Sequence, residues 1–564
     1  MACLLAKTVH GKRYWQLVTS RRINGQSRHV VLAHLGSADR LWERLQQIQK
    51  HGPLQARIYD SGVVTACWGL AQELGLAELI NRHAPKRDQG LSVGDYLVLA
   101  AINRVAAPKS KVQLGPWYRA TALRRLLPAT QQQLKSQRFW DHMDTLDENT
   151  CRAIERDLSA LLVERFKIDL RCLCFDCTNF DTFIDSTTTS DLAQRGHAKS
   201  KRTDLRVVGL ALLASTDFHI PLFSQVYPGN QPDAVTFADV VPELEARYRQ
   251  LSPLGDPLTL VFDKGNNSED TFLDMANSPY RLLGSLVPSQ HPALLQIPSS
   301  HFVSFSDPRL PGVSAHRCSQ TLWKRDWTVV VTRSQELLDG QLRGINQHLR
   351  KRRQELRALQ HRLELSQKPN ARGKGYTRES LQSHIDRLTH GQYLRDILRA
   401  QIRSHRGKLT LSYQTDQAAL DQLRETTLGK RILFTDNHAW PTEDIILGYR
   451  SQYHVEAAFR RMKNPSHVGW DPRFHWTDQK IRVHALYCVL ALVLSALLHR
   501  KAVQGGLAIS LDHLFDELSA IKEVVTLSTA AKGRPPTAQI ALSRLNPTQK
   551  RLHRILQLHR YDPN

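Results

Sequence analysis

The chain has 564 residues, which is enough for three or more domains with cores of their own. Eight cysteines in so long a chain indicate reduced thiols and exclude a scaffold built on disulfides. The 77 Lys and Arg against 53 Asp and Glu give a net charge of +24, so the chain attracts polyphosphates before any specific contact forms. Composition therefore favours a nucleic-acid partner over the alternative of a basic ribosome-associated or membrane-surface protein.

Residues 1–58 predict a basic N-terminal β-hairpin. The stretch HGKRYWQLVTSRRINGQSRHVVLAHLG contains two alternating runs on either side of a turn at Asn24 and Gly25. A signal peptide is not expected, because basic residues follow the opening apolar residues at once. Residues 59–168 then change to a helical pattern, with apolar positions at helical spacing in LSVGDYLVLAAINRVA and LDENTCRAIERDLSALLVERF.

Residues 169–290 predict the first part of an α/β core. The apolar runs in LRCLCFDCTNF and LTLVFDKGNN are typical of buried strands, and they lead to Asp176 and Asp263. Between and after these two runs the predicted order is strand, strand, helix, helix and strand, at residues 204–213, 219–227, 233–251, from 268, and 280–287. A strand followed by a hairpin, a helix and another strand is the start of a ribonuclease-H-like α/β core.

Residues 291–428 predict an inserted domain, because the stretch after Asp263 is too long for a bare core. Its first part, with FVSF, WTVVVTRS, Trp323 and Trp327, predicts strands. Its second part predicts two long helices joined by the loop KPNARGKGYT, a helical hairpin whose basic arms either grip DNA or repel each other in solution. For the two tryptophans, core packing is the favoured interpretation, and stacking on a displaced base is the alternative.

Residues 429–503 predict the second part of the core, with a polar stripe in YRSQYHVEAAFRRMK. Tyr449, Gln452, Glu456 and Lys463 follow one another at intervals of three, four and seven residues, so one helix would carry all four on one side. A carboxylate among an aromatic ring, an amide and a cation suits a metal-bound phosphodiester. The alternative is an ordinary amphipathic helix with its apolar side turned inward.

The last stretches of the chain predict a buried helix and a basic tail. The apolar run from Ala485 to Leu498 is too short to span a bilayer and predicts a core helix. Residues 504–564 predict a basic C-terminal region with a short helix in ISLDHLFDELSAI, suited to dimer contact or DNA binding. We therefore expect a cytoplasmic, nucleoid-associated protein without a membrane partner.

Three carboxylates stand in the order that a metal-dependent nuclease core requires. Asp176 and Asp263 end predicted strands, and Glu456 lies on a predicted helix. Each aspartate taken singly is more often a strand-end or turn residue. Together the three would form an oxygen cage for two divalent ions, which activate the attacking oxygen and neutralise the leaving one.

The chain resembles the DDE transposases of bacterial insertion sequences that carry a tyrosine, arginine, glutamate and lysine signature. The resemblance covers residues from about 170 to 500 and is specific as a set. The segments that carry it are FDCTNF, RGHAKSKRTDLRVVGLAL, YPGNQPDAVTF, FDKGNNS, GKRILFTDN, YRSQYHVEAAFRRMK and DPRFHWTDQKIRVHALYCVLALVL.

This resemblance implies a catalytic triad of Asp176, Asp263 and Glu456 that binds two Mg²⁺ ions, with Mn²⁺ as a substitute. It also implies that Tyr449 and Lys463 contact phosphates of the transposon ends. The family's arginine falls at Gln452 in this chain, which brings no charge to a phosphate. The nearby cations that would replace the arginine are Arg450 and Arg460.

In the resembling family the leading region helps to recognise the element's ends, so residues 59–168 are expected to bind them. Candidate phosphate contacts there, each with solvated surface as the alternative, are Arg104, Lys109, Lys111 and Arg119. The expected function is cleavage of insertion-sequence ends and joining of the 3′-OH ends to target DNA, by a homodimer on double-stranded DNA. The alternatives are a domesticated nuclease of the same fold and a catalytically silent DNA-binding relic.

Overall fold

The protein is a mixed α/β molecule with several β-sheets. The structure, a computed structural model, describes residues 2–9, 12–23, 26–37, 39–40, 42–43, 55–84, 90–185, 187–251, 258–275, 278, 280–369, 371, 375–405, 407–470, 475–528 and 537–563. The chain divides into two compact units. The first comprises Met1–Asp147, Pro465–Gly469 and Leu490–Asn564, and the second Glu148–Asn464 and Trp470–Val489.

The elements before residue 148 are strands first and then helices. The strands are β1 (Ala2–Val9), β2 (Lys12–Ile23), β3 (Gln26–Ser37) and β4 (Gln55–Asp60). The helices are α1 (Gly62–Leu74), α2 (Leu76–His83), α3 (Val93–Ala106), α4 (Leu114–Arg119), α5 (Leu123–Leu126) and α6 (Ser136–Met143).

The central part of the chain alternates strands and helices. Its strands are β5 (Cys172–Thr182), β6 (Arg206–Ser215), β7 (Pro221–Pro228), β8 (Leu258–Val261), β9 (Tyr280–Ser285), β10 (Val303–Ser304), β11 (Val313–Leu322), β12 (Arg325–Ser334), β13 (Leu398–His405), β14 (Lys408–Thr415) and β15 (Lys430–Thr435). Its helices are α7 (Glu148–Phe166), α8 (Asp233–Leu251), α9 (Glu269–Asp274), α10 (Pro292–Leu295), α11 (Gln335–Ser366), α12 (Arg378–Thr389), α13 (Leu394–Ile397), α14 (Gln417–Thr426), α15 (Thr442–Arg450), α16 (Tyr453–Lys463) and α17 (Asp478–Gln504). The chain closes with α18 (Leu511–Ser519), β16 (Lys522–Ser528), β17 (Thr537–Leu542) and α19 (Pro547–Ile555).

The N-terminal β-hairpin is confirmed. β2 and β3 pair antiparallel up to Ile23 opposite Gln26, and β1, which the sequence did not predict, adds a third strand on the far side of β2. The predicted turn at Asn24 and Gly25 lies outside the described residues.

The C-terminal region is not a separate tail. β16 pairs with β4 on one side and β17 on the other, so residues from both ends of the chain share one sheet. Gly62, which follows β4, lies against α18, where an added Cβ would be 2.1 Å from the carbonyl oxygen of Leu518. This close approach explains why a residue without a side chain begins α1.

The second unit contains a nine-stranded sheet in the order β10-β11-β12-β15-β9-β8-β5-β6-β7. β5, β6 and β7 are antiparallel neighbours, whereas β8 and β9 run parallel to β5. The strands of the sheet's middle are buried along most of their length, as their apolar sequences predict. The sequence prediction of these five strands and their chain order agrees with the structure.

The predicted insertion contains strands that belong to the main sheet. β12 pairs with β15 from Thr328 opposite Thr435 to Arg333 opposite Lys430, and β10 and β11 extend the sheet from there. This pairing could not be identified from local sequence patterns, because β15 lies about a hundred residues after β12 in the chain.

The prediction of two long helices holds for only the first one. α11 packs its apolar side, with Leu349, Leu356 and Leu363, into a cluster that α12, β13 and β14 complete. α12 ends at Thr389, and the rest of the predicted second helix, up to residue 402, contains the short helix α13 and the first part of β13, which pairs with β14. α12 ends there because the next residue, His390, has an extended backbone, with φ −65° and ψ 126°.

α17 is long and apolar enough to cross a membrane by length and composition, but 94% of its most apolar window is buried inside the protein. A core helix of a soluble protein passes the same test, so the finding is weak evidence for a span. Its burial agrees with the predicted core helix at residues 485–498.

Candidate active site

Asp176 and Asp263 lie at matching positions of two neighbouring parallel strands, Asp176 within β5 and Asp263 just beyond the end of β8. The last pair in the register of β5 and β8 is Cys174 opposite Val261, and each aspartate lies two residues beyond it. β8 ends at Val261, so β5 continues past its neighbour and Asp176 stands beside the open end. Because parallel strands lie about 5 Å apart, the two carboxylates share one edge of the sheet.

The surroundings of Asp176 oppose its ionisation. The pKa of Asp176 is raised to about 7, mainly by burial, and the negative charge of Asp263 contributes in the same direction. The ammonium group of Lys199 and a hydrogen bond from the Cys177 backbone N–H to Oδ1, at 2.8 Å, act in the opposite direction. A carboxylate withdrawn from water beside a second carboxylate would be stabilised by a bound cation.

Tyr449 holds Asp263 from the side of α15. Its hydroxyl lies 3.4 Å from Asp263 Oδ1 and 2.8 Å from Ser285 Oγ. The side chain is only 6% exposed, and burial raises its pKa to about 12. The structure therefore places the hydroxyl of Tyr449, which was predicted as a phosphate contact, beside the carboxylate of Asp263.

The predicted single helix through the polar stripe is wrong. α15 ends at Arg450 and α16 begins at Tyr453, with a turn between them. The Ser451 hydroxyl donates to the Gly448 carbonyl, and the Gln452 N–H donates to Tyr449 three residues back, which tightens and bends the chain. Tyr449 therefore belongs to one helix, while Glu456 and Lys463 belong to the next.

α16 presents its apolar side inward and its charged side outward. Val455, Phe459 and Met462 are buried, whereas Glu456 and Arg460 are exposed. The amphipathic pattern is therefore present on α16, and of the predicted polar stripe this helix carries Glu456 and Lys463.

Lys463 reaches from α16 to the strand that carries Asp176. Its ammonium group donates to Thr178 Oγ1 at 2.6 Å and lies 5.4 Å from the centre of the Phe180 ring. Burial lowers the pKa of Lys463, and the nearby charge of Lys199 lowers it further. The structure therefore brings Lys463 next to the Asp176 side of the site.

A cleft of 950 Å³ brings five of the ten predicted site residues together. Asp263 and Glu456 both line it. The other predicted residues on its walls are Tyr449, Arg450 and Gln452. Gln452 is buried, and Arg450 donates to the Arg309 carbonyl at 3.3 Å.

Carboxylates are the donors that Mg²⁺ prefers, so the residue types of this site fit a magnesium ion. Among the residues that the structure describes, no three His, Cys, Asp or Glu side chains are close enough to share a metal ion. Asp176 and Asp263 are close enough to interact electrostatically. Glu456 lines the same cleft as Asp263 but does not complete a three-residue cluster.

The two tryptophans for which DNA stacking was the alternative, Trp323 and Trp327, lie in one aromatic cluster. Trp327 is fully buried, and its ring packs against Trp323, Phe434 and Phe272 with centroid distances of 5.0 to 5.9 Å. Its indole N–H donates to the Leu322 carbonyl at 2.9 Å. Base stacking by Trp327 is therefore excluded in this conformation, and the core-packing interpretation holds.

The leading region also differs from expectation at two positions. Arg104 is buried and donates to the carbonyls of Gly469 and Lys109, at 2.9 and 2.6 Å. Lys111 is buried with its ammonium group 4.8 Å from the centre of the Phe139 ring. Both cations have packing roles, so neither is an open phosphate contact.

Sequence patterns did not single out Lys199 or Ser285, although both contribute to the site. Lys199 is one of several cations in RGHAKSKR, and nothing local distinguishes it from Lys201 or Arg202. Ser285 is a strand-end serine whose partner, Tyr449, is 164 residues away.

Comparison with known proteins gives a family match in the N-terminal region. Residues 6–57 match the model of the N-terminal domain of IS1634 family transposases. This match supports an insertion-sequence transposase. Curated protein sequences give no match. Among solved structures, the chain is similar to the piggyBac transposase in its synaptic complex with hairpin DNA, with a TM-score of 0.34, 10% identity and 82% of each chain covered.

Proposed function

We propose that the protein is a DDE transposase of the tyrosine, arginine, glutamate, lysine type, which cleaves the ends of an insertion sequence and joins the 3′-OH ends to target DNA. The observation that carries the proposal is the pair of aspartates at the open end of two parallel strands, next to a cleft that also exposes Glu456. The family match at residues 6–57 supports the transposase part of the proposal.

We assign the sheet from β7 to β9 to a ribonuclease-H-like core. The order β7-β6-β5-β8-β9 consists of three antiparallel strands followed by two parallel ones, with α8 in the crossover from β7 to β8. In such a core the first and fourth strands carry acidic residues at adjacent ends. Asp176 on β5 and Asp263 after β8 occupy these positions.

Asp176 and Asp263 would hold Mg²⁺, and Glu456 would be the third carboxylate. The bound ions would activate the attacking oxygen and neutralise charge on the leaving oxygen, and Mn²⁺ is expected to substitute. Water and a sugar hydroxyl are equivalent nucleophiles in this chemistry, so one site serves both cleavage and strand transfer.

The chain's own residues position the carboxylates and the DNA backbone. Tyr449 fixes the orientation of Asp263 through its hydroxyl. The ammonium group of Lys463, on α16, contacts Thr178, which lies two residues along β5 from Asp176, and its charge would attract a backbone phosphate there. Gln452 offers a hydrogen bond without a charge, while Arg450 on the wall of the cleft and the exposed Arg460 on α16 would supply cations.

The path of the DNA continues along α11. A groove on this helix is lined only by cationic and amide side chains, at positions that recur every three or four residues: Arg343, Asn346, Gln347, Arg350, Lys351 and Gln354. All six are exposed, and Arg343 also lines the cleft with Asp263 and Glu456. The groove therefore extends the cleft by about 16 Å at the usual rise per residue of an α-helix, which favours the interpretation that the basic arm grips DNA.

The test uses labelled DNA with the element's ends, a target plasmid and Mg²⁺ or Mn²⁺. The proposal predicts nicked ends and strand-transfer products from the same preparation, with a homodimer bound to paired ends. Cleavage without joining would identify a nuclease of the same fold. Binding of the ends without either reaction would identify a silent DNA-binding protein.

A further inference from the structure

The loop between β5 and β6 lies against the strand that carries Asp176. The side-chain amide of Asn179 holds it there, since Oδ1 accepts from the Lys199 N–H at 3.0 Å and Nδ2 donates to the His197 carbonyl at 2.8 Å. Asn179 is three residues after Asp176 on β5. These two hydrogen bonds involve backbone atoms of the loop, so they place Lys199 at the edge of the site without using its side chain.

The Lys199 ammonium group lies beside Asp176. It donates to the carbonyl of Cys177, the next residue along β5, and it lies 3.6 Å from Asp233 Oδ2. Its charge lowers the pKa of Asp176 against the effect of burial. The side chain remains 43% exposed, so solvent and a ligand can reach it.

Lys463 approaches the same place from α16. Lys199 donates to the backbone of residue 177 and Lys463 donates to the side chain of residue 178. Burial lowers the pKa of Lys463 most, and the charge of Lys199 lowers it as well, so the two ammonium groups are close enough to repel each other. An anion placed between them would offset this repulsion.

We propose that Lys199 is a phosphate-positioning residue that, together with Lys463, holds a backbone phosphate of the cleaved DNA strand against the Asp176 side of the site. The proposal rests on the function proposed above. Lys199 would provide near the site the positive charge that the uncharged Gln452 does not provide. Its ligand is a phosphodiester oxygen, recognised by charge and not by sequence.

A purely structural role for Lys199 would be a tie between the loop and β5. The side chain of Lys199 contacts a backbone carbonyl and a carboxylate, and both contacts would also serve such a tie. The two roles differ in what they predict for the salt dependence of DNA binding, because only a phosphate contact releases counterions when DNA binds.

The experiment compares Lys199→Met and Lys199→Arg with Lys201→Met, a matched change two residues along the same loop at an exposed lysine. Binding of element-end DNA is measured over a range of salt concentrations without divalent ions, so that the readout does not depend on catalysis. For Lys199→Met we expect about tenfold weaker binding and a salt slope reduced by about 1. Lys199→Arg should retain the wild-type slope, and Lys201→Met should change neither quantity.

A wild-type salt slope for Lys199→Met would overturn the proposal. Equal losses of DNA affinity in Lys199→Met and Lys201→Met would also overturn it, because they would show that only the total charge of the loop affects binding. Thermal unfolding of each variant separates a folding defect from a binding defect. A wild-type Tm with a reduced salt slope for Lys199→Met supports the phosphate contact. A lowered Tm with an unchanged salt slope supports the structural tie and overturns the proposed phosphate contact. If wild type binds ends but cuts nothing, the proposed function fails while the comparison of slopes still decides the role of Lys199.

Discussion

The raised pKa of Asp176 makes the stability of the protein depend on pH. The usual pKa of this side chain, 3.8, is raised to about 7, so the folded protein without metal binds more protons than the unfolded chain between these values. The free energy of unfolding contributed by this group therefore falls as pH rises through this window, by at most about 1.4 kcal/mol per pH unit.

Replacing Asp176 by Asn should remove this dependence. The stability of Asp176→Asn relative to wild type, measured by urea unfolding without metal, should increase from pH 4 to pH 7 and then stay constant. Mg²⁺ needs the ionised carboxylate, so the Tm increase that it causes in wild type should be larger at pH 8 than at pH 6 and absent in Asp176→Asn. Asp181→Asn, on the same strand, is the control and should behave like wild type. A relative stability that does not vary with pH would contradict the assigned environment of Asp176.

At the level of single residues, the sequence was informative about carboxylates and poor about their neighbours. Asp176 and Asp263 could be found because apolar runs precede them and breaks in the pattern follow. The contacts of Tyr449 with Ser285 and of Lys199 with Cys177 join residues that are distant in the chain. No local pattern carries such information, so these partners required the structure.

β12 is the element whose role changed most between sequence and structure. The sequence predicts this strand and the structure contains it. Its pairing partner is β15, and its tryptophan, Trp327, is a core residue. Trp327, Phe434 and Phe272 form an aromatic cluster between this part of the sheet and α9.

Trp327→Ala should therefore reduce the free energy of unfolding by about 3–5 kcal/mol, because it removes a fully buried indole and leaves a cavity. Denaturant unfolding measures this change. Trp476→Ala removes a 61% exposed indole and should change stability by about 0.5 kcal/mol or less. Unchanged stability with lost DNA binding in Trp327→Ala would restore the base-stacking interpretation.

The break between α15 and α16 shows a limit of helical periodicity. The spacing of polar residues continues across Ser451 and Gln452, neither of which is a glycine or a proline, so the sequence offers no stop signal. The bend arises from a serine hydroxyl that bonds a carbonyl three residues back, together with packing against β5. It separates Tyr449, which orients a carboxylate, from Glu456, which lines the cleft.

At the scale of the whole molecule, the charge of +24 provides general attraction to DNA, and its arrangement decides where the DNA lies. The basic groove on α11 shares Arg343 with the cleft, so a cationic surface adjoins the cleft.

The double variant Arg350→Gln/Lys351→Gln tests this path. It should weaken binding of element-end DNA and reduce the salt slope by about 2, since two phosphate contacts are lost. Arg387→Gln/Arg424→Gln makes the same change of charge at exposed positions on α12 and α14 and is the control. Equal effects of the two double variants, seen in fluorescence anisotropy titrations, would show that only total charge matters.

The measurement that tests the central claim most directly is cleavage and strand transfer of labelled element-end DNA by wild type, Asp176→Ala, Asp263→Ala and Glu456→Ala. Binding of the same DNA is measured in parallel. The account predicts that all three variants bind the ends and perform neither reaction, because each removes a carboxylate from one shared site. Cleavage that survives any one substitution would remove that residue from the triad and contradict the account.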